Sequence, residues 1–581
     1  MSARLTRFDI RILLGLTTLA FVLRLFSPIM PDFLTNPTAW PPVRAWGLGH
    51  PYQSPNGYIF DEVYFAQDSC KDLVGIDYLD PEPPLAKLVI AAGIVVAGTF
   101  MHYDKGAHVA ADKRCETVGT LSGYGTWGWR LTSLVFGTLL IPMIYLLALR
   151  LWPDRFFATS AALLMNFDGM SFVQSRIAMI DVVALFLLLL VYWVYHLQRD
   201  ATTSRQWTRR MLLLGLCVGL AVSAKWTTLA AWGTIILFSA GTVVLRYVRV
   251  SGAGGWTWGD VSDASEPGSA APPAARPGAR PKDPMMRLAL WVTVLVFIPV
   301  VVYFFSYLRY ASIPHNVPNP QTPAAVAAQH NSPAPTASQS PNLPADCDFS
   351  GYITSAPAVA LGRVGPVWLP TSFNFAQYVQ QIYDHDRWAY KYHACLTATH
   401  PYGSPWYSWP FLLRPVAYYY QDNLGLDASG TGQLRAEVFN LGNPAIWWFS
   451  IPALIYCAMV ALRERSYPAA LIVVAFLAAW LPFSRVNRVM FLYHMFGALP
   501  FMMLAVAFAV ARLRRLQGRI QVLSFELPAV TGTHLALGYL GLVVLLFVFF
   551  YPLWTGLPIS EPAWMHRIWL NLSQDTKISW I

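Results

Sequence analysis

An adjacent acidic pair, Asp61-Glu62, interrupts the aromatic run from Phe60 to Phe65. A carboxylate can take the proton from a hydroxyl nucleophile, which makes the pair a candidate general base facing a cavity. The same two residues would also suit a solvated turn or the start of a helix, where Asp is favoured. Downstream, cations stand alone in apolar surroundings: Arg130 after Trp129, Arg176 between Asp168 and Asp181, Lys225 before Trp226, and Arg485 and Arg488 ahead of Tyr493-His494. The planar fork of an arginine suits a phosphate, although an arginine at the end of a membrane span can simply snorkel. Asp168, Arg176 and Asp181 are costly at a membrane edge, so they are functional or paired, with Arg176–Asp181 the obvious pair and Asp168 able to join it. Lys225 beside tryptophan would also serve as an interfacial anchor. Asp80, in Tyr78–Lys87, is placed to cap the short helix that follows its prolines. Taken together, the cations have the make-up of a clamp for a lipid-borne phosphate. No Cys/His cluster has the spacing of a zinc site.

The elements that must carry these groups are read from composition. The chain has 581 residues, 55% hydrophobic and 12% charged, with mean hydropathy +0.41. Soluble domains carry roughly 25% charged residues, and half that supply cannot cover a soluble surface of this size. The composition excludes low-complexity disorder, collagen, a coiled coil and a nucleic-acid-binding domain. It predicts an all-α polytopic membrane protein. The net charge of +10 then reflects basic loops that hold topology, not a nucleic-acid partner.

Stretches long enough to span fall at about 12–28, 127–149, 156–172, 178–197, 211–224, 227–246, 287–308, 445–462, 467–483, 489–511 and 533–553. The first follows Arg4, Arg7 and Arg11, has no small-residue cleavage site after it, and reads as a retained helix. Residues 85–100 are apolar but short, and either span or lie in the interface. Leaving them out collects Arg205, Arg209 and Arg210, then Arg276, Arg280 and Lys282, then Arg512, Arg514 and Arg515 on the side of the N-terminus. Only Arg176, Lys225, Arg485 and Arg488 remain in short turns of the other side. The positive-inside rule therefore predicts eleven spans, with a cytoplasmic N-terminus and an extracytoplasmic C-terminus.

This layout gives a module over 1–308 with a long outside loop at 29–126, a flexible cytoplasmic linker at 251–285, a second outside loop at 309–444, and C-terminal spans with a tail over 445–581. Residues 314–345, rich in Pro, Ala, Ser, Gln and Asn, read as disordered, and the aromatic stretch 347–424 as folded. Cys70 and Cys115 share the first loop, and Cys347 and Cys395 the second. Two disulfides are open to them in an oxidising exterior, while Cys217 and Cys457 pack within spans.

Phe60 to Phe65, Pro83 to Lys87, Arg130, Phe172 to Asp181, Lys225 to Thr227, His400 to Pro410, Arg488 to Pro500 and Tyr551 to Gly556 occur in one order along the chain. In that order they resemble the protein O-mannosyltransferases, a family of GT-C polyprenyl-phosphate-dependent glycosyltransferases. The runs 172–181 and 404–410 are the specific ones. Glu82 stands where the family usually has His, and Tyr64 where it often does. The β-trefoil module of eukaryotic members has no counterpart in the second loop, which points to the bacterial type.

The resemblance implies a GT-C bundle of about eleven helices with two long extracytoplasmic loops, in the plasma membrane. It implies inverting transfer of mannose from a polyprenyl phosphate to Ser or Thr hydroxyls of exported proteins, with the secretion channel as a candidate neighbour. Asp61 would be the base and Glu62 its orienting partner. Arg130 and Lys225, then Arg176, Arg488 and His494, would hold the donor phosphate. His400, Tyr402, Trp406 and Trp409 would roof the site and present the acceptor, while Asp80, Asp168 and Asp181 would be structural. No cofactor is required, with a divalent ion at Asp61/Glu62 left open. The alternatives are a sister GT-C enzyme acting on a lipid or cell-wall glycan and, further off, a transporter of lipid-linked sugar or a membrane assembly protein.

Overall fold

The computed structural model describes residues 5–25, 59–100, 127–199, 201–247, 284–317, 353–364, 367–396, 400–422, 424, 433–516, 521–522, 525–526, 531–571 and 579–580. Apolar sequence without polar breaks gives helices, because a helix satisfies its own backbone inside a bilayer. In chain order they are α1 (Arg7–Leu25), α2 (Glu62–Val74), α3 (Leu85–Phe100), α4 (Trp127–Leu151), α5 (Arg155–Asn166), α6 (Gly169–Gln174), α7 (Ile180–Arg199) and α8 (Ser204–Ala224). They continue with α9 (Leu229–Tyr247), α10 (Pro284–Val292) and α11 (Ile298–Ser306), the last two joined through a π-turn at Thr293–Phe297. The rest are α12 (Phe375–Cys395), α13 (Pro444–Arg463), α14 (Tyr467–Trp480), α15 (Leu499–Arg514) and α16 (Gly532–Thr555).

Among the described residues, seven helices are long and apolar enough to cross a membrane: Gly128–Leu151, Ile180–Gln198, Ser204–Ala224, Ala289–Ser306, Pro444–Arg463, Tyr467–Arg485 and Gly532–Thr555. The expected span at 156–172 is instead two helices, α5 and α6, broken at Asp168. That residue caps α6 by accepting the Ser171 amide at 2.9 Å. The expected span at 489–511 begins as a 3₁₀ turn over Leu492–Gly497, and only α15 continues as helix. Residues 85–100 are helical as α3, with α4 packed against them. The approach is tight at Gly93, where a Cβ would come within 2.7 Å of the Thr132 side chain.

The centre of the bundle is α7, packed between α4 and α8. On one flank α3 covers α4, and on the other α5 meets α15, itself backed by α13 and α16. The outer face of α16 leaves Leu537, Leu545 and Val548 exposed, which suits a surface bathed in lipid tails. The loops depart from an all-α protein. Short antiparallel pairs form between His315–Val317 and Ile353–Ser355 and between Val359–Val364 and Val367–Phe373, and a three-stranded sheet joins Val416–Gln421, Leu434–Asn440 and Ile559–Ser560. Alternating aromatic and β-branched residues outside the bilayer favour strands. The 347–424 stretch is thus folded where it is described. Most of 314–345 and 251–285 lies outside the described residues. Cys70 is disulfide-bonded, and Cys217 and Cys457 are buried and free. Cys115, Cys347 and the Cys395 side chain are outside the described set.

Candidate active site

Glu62 opens α2 and is fully buried. Arg130 of α4 donates to both of its oxygens at 2.6 Å, the Ala178 amide to Oε1 at 2.8 Å, and the Ile59 amide to Oε2 at 2.9 Å. A carboxylate offers about four lone-pair sites, and here four donors take them. Glu62 therefore pins the start of α2 to α4 and to the turn ahead of α7.

Asp61 is the opposite case. Its half-buried carboxylate makes no hydrogen bond and no ion pair among the described residues, and as the residue before α2 it caps nothing with its side chain. Its pKa is pushed up to about 7, first by burial, then by Asp181 and Asp80, against the pull of Lys225 and Arg488. Phe60, next to it, adopts φ +54°, in the left-handed region that costs a bulky residue free energy. The Phe60 ring is stacked 4.0 Å from Tyr418 and meets Tyr493 edge-on at 5.6 Å. Gln174 and Asn440 donate to the Tyr418 hydroxyl at 2.9 and 2.7 Å. An aromatic wall thus holds the strained turn that aims Asp61.

Four other segments bring charge to the same place. Lys225, in extended backbone at the end of α8, binds Asp181 of α7 at 2.9 Å and lies 3.6 Å from Glu82. The Arg488 side chain donates to His494 Nε2 at 3.4 Å and has no acid within ion-pair distance among the described residues. Burial raises the pKa of Glu82, with Lys225 opposing and Asp80 and Asp181 adding to the shift. Beside Asp181 lies a small open cleft of ≈ 20 Å³, room for about one water, lined by Leu185, Leu188, Thr227 and Phe496.

Residues 47–311 match the family model described as dolichyl-phosphate-mannose-protein mannosyltransferase, and residues 379–573 the C-terminal four TMM region of protein-O-mannosyltransferase. The chain belongs to the protein O-mannosyltransferase family. It is 24% identical over 496 residues to the polyprenol-phosphate-mannose–protein mannosyltransferase of Mycobacterium tuberculosis, covering 80% of each chain. To the protein of that name from Mycolicibacterium smegmatis it is 25% identical over 560 residues, 91% of this chain and 89% of the relative. The fold is similar to that of the S. cerevisiae protein O-mannosyltransferase Pmt1-Pmt2 complex bound to the sugar donor, with TM-score 0.65 and 14% identity over 99% of this chain and 94% of that one.

Within this mannosyltransferase fold, several expected residues have other work. Arg130 was expected on the donor phosphate, but its guanidinium is committed to Glu62 and 1% exposed. Arg176 is fully buried, donates to the Trp554 carbonyl at 3.0 Å and lies over the Phe172 ring at 4.7 Å, so it does not join the cations around Asp61. Asp181 pairs with Lys225 and not with Arg176. Asp80 holds Lys87 at 2.5 Å and the Glu82 amide at 3.3 Å instead of capping α3. Asp168 is structural as expected: it caps α6 and accepts from the Asn443 amide and the Trp447 indole at 3.0 and 2.9 Å.

The His400–Pro410 stretch docks on the segment carrying Arg488 and His494. The Ser404 amide donates to the Met490 carbonyl at 2.8 Å, the His400 ring meets Phe491 at 5.1 Å, and Trp406 packs on Trp480 at 4.9 Å. Tyr402 lies beside His400 at 5.8 Å. Trp409 is fully buried, stacked against His494 at 5.9 Å, so it supports that histidine and presents no acceptor.

Sequence reasoning did not select Glu82, Tyr418 or α12. Two hydrogen-bonded straps tie α12 over the site. His385 Nε2 bonds the Asp80 carbonyl at 3.0 Å, and Asp386 accepts from Tyr303 and Tyr307 at 2.9 and 2.8 Å. Tyr303 in turn accepts from Trp226, next to Lys225, at 3.1 Å. Such partners lie far apart in sequence, and no local spacing announces them.

Proposed function

We propose that this protein transfers mannose from a polyprenyl phosphate to Ser or Thr hydroxyls of exported proteins, with inversion, on the extracytoplasmic side of the membrane. The carrying observation is Asp61: a carboxylate with no partner of its own among the described residues, its pKa raised to about 7, within electrostatic reach of Lys225 and Arg488.

The polyprenyl chain lies along the apolar side of the bundle that carries Leu185 and Leu188, and its phosphate meets Lys225, Arg488 and His494. The acceptor hydroxyl attacks the anomeric carbon as the bond to the phosphate oxygen breaks, and Asp61 takes the hydroxyl proton. The departing phosphate gains negative charge, which preorganised cations stabilise more in the transition state than in the ground state. Glu62 and Arg130 fix the position of Asp61 without touching substrate. His400 and Tyr402 border the acceptor side.

The loop charges support eleven crossings with a cytoplasmic N-terminus and an extracytoplasmic C-terminus, so that 1–308 and 445–581 form membrane modules joined through the second outside loop. Reporter fusions in the loops near 205 and 405 test this topology, with cytoplasmic and exterior signals expected in that order.

The activity itself is tested with purified protein, radiolabelled polyprenyl-phosphate mannose and a panel of peptide and glycan acceptors. Wild type should label Ser/Thr peptides, and Asp61→Asn should lose about 10²-fold or more of the rate while keeping its melting temperature. Near-normal transfer by that variant, or labelling of glycans alone, overturns the proposal.

A further inference from the structure

The His393 ring belongs to α12, in the second outside loop, and no part of the mechanism above uses it. It sits where that helix reaches over the site. One face meets the Trp226 ring at 6.4 Å, the residue after Lys225. The Pro81 carbonyl, next to Glu82, favours the charged form of the ring. Its Nδ1 is buried and has no hydrogen-bond partner. A buried imidazole nitrogen left unpaired costs free energy unless something fills the gap.

The groups that face the ring come from every neighbouring segment: Arg488 ahead of the Leu492–Gly497 turn, Lys225 between α8 and α9, Asp80 and Pro81 ahead of α3, and His494, on which His393 also bears. The next residue back, Tyr392, lies within electrostatic reach of Asp61 and Arg488. Burial, then Arg488 and Lys225, pull the pKa of His393 down to about 4. These neighbours therefore hold the ring neutral. An anion placed between those cations reverses the balance, because opposite charge favours the imidazolium, in which both nitrogens donate.

We propose that His393 is a fourth ligand of the donor phosphate, its Nδ1 completing with Lys225, Arg488 and His494 a site selective for phosphate anions. Binding charges the imidazole, so phosphate arrival and proton uptake are coupled. The added charge is largest in value once the sugar has left, when the phosphate has become a monoester. The second outside loop thereby senses occupancy of the membrane site, through a residue on α12. This assignment rests on the proposed use of a polyprenyl-phosphate donor.

The test is binding of a polyprenyl monophosphate to the full-length protein in lipid nanodiscs between pH 5.5 and 7.5. Wild type, His393→Gln and His393→Phe are compared, with melting temperature as the folding control. Both variants should bind about tenfold more weakly. The ratio of wild-type to variant affinity should grow as pH falls, since only wild type takes up the proton. His393→Phe keeps a ring against Trp226 and carries the test if the Gln variant is unstable. Equal affinity and equal pH dependence in wild type and either folded variant overturn the His393 assignment alone, as they would if an ordered water occupied Nδ1. Wild type that binds no polyprenyl phosphate at any pH overturns the donor reading and this assignment with it.

Discussion

At the scale of single residues, the adjacent carboxylates divide labour through their surroundings. Glu62 is saturated by four donors and immobile, while Asp61 is unsaturated and shifted toward neutral pH. The active form of a general base is the deprotonated one, and that of Asp61 is lost as pH falls through about 7. The kcat/KM for transfer should therefore drop tenfold per pH unit below about 7, and a profile flat down to pH 5 would remove Asp61 as the base. The Glu62–Arg130 pair belongs to stability. Leaving one buried ion without its partner costs about 3–5 kcal/mol, so Glu62→Gln or Arg130→Ala should lower the melting temperature sharply. The donor KM of the folded fraction should stay at the wild-type value, and a raised KM at unchanged stability would return Arg130 to the phosphate.

At the scale of elements, the site depends on two broken helices. Apolar composition favours one continuous helix from 155 to 174, but Asp168 interrupts it and turns α6 toward the loop sheet. Gly169 allows the close approach of the last turn of α16, where a Cβ would stand 2.1 Å from Trp554 and 2.3 Å from the Leu441 carbonyl. Asp168→Ala removes three buried hydrogen bonds, each worth about 1 kcal/mol net and more where a donor is left buried and unpaired. A loss of about 3 kcal/mol or more of unfolding free energy is expected, read by thermal denaturation in detergent. A change under 1 kcal/mol would mean that packing alone sets the break. The second interruption, Lys225 in extended backbone between α8 and α9, frees a lysine from helix geometry and lets it reach Asp181 and Glu82 together.

At the scale of the whole molecule, six chain segments meet: the start of α2, the Asp80–Glu82 loop, the start of α7, the end of α8, the 488–494 turn and α12. Asp181 and Leu188 line one small cleft there. Leu188→Trp fills its lower wall and should raise the KM for a long polyprenyl donor several-fold while leaving a short-chain analogue unaffected. Equal effects on both donors would place the lipid chain elsewhere.

The sequence by itself determined the membrane class, which follows from local composition and needs no partner to be read. Its charge bias predicted the isolated cations on one side, and Asp61 was singled out by the resemblance of its motif to the family. The sequence also placed Lys225, Arg488 and His494 in a common region, because the topology rule puts their turns on one face. Only the tertiary structure decided which cation serves which anion. Arg130, Arg176 and Arg488 are alike in sequence as arginines in apolar context, yet one is spent on Glu62, one on a backbone carbonyl, and one is left beside a histidine. That division depends on hydrogen-bond partners from 6 to almost 400 positions away, and so does the place of His393, whose neighbours come from four segments. Pairing of this kind is a property of packing, where a buried charge must find a partner or face a ligand.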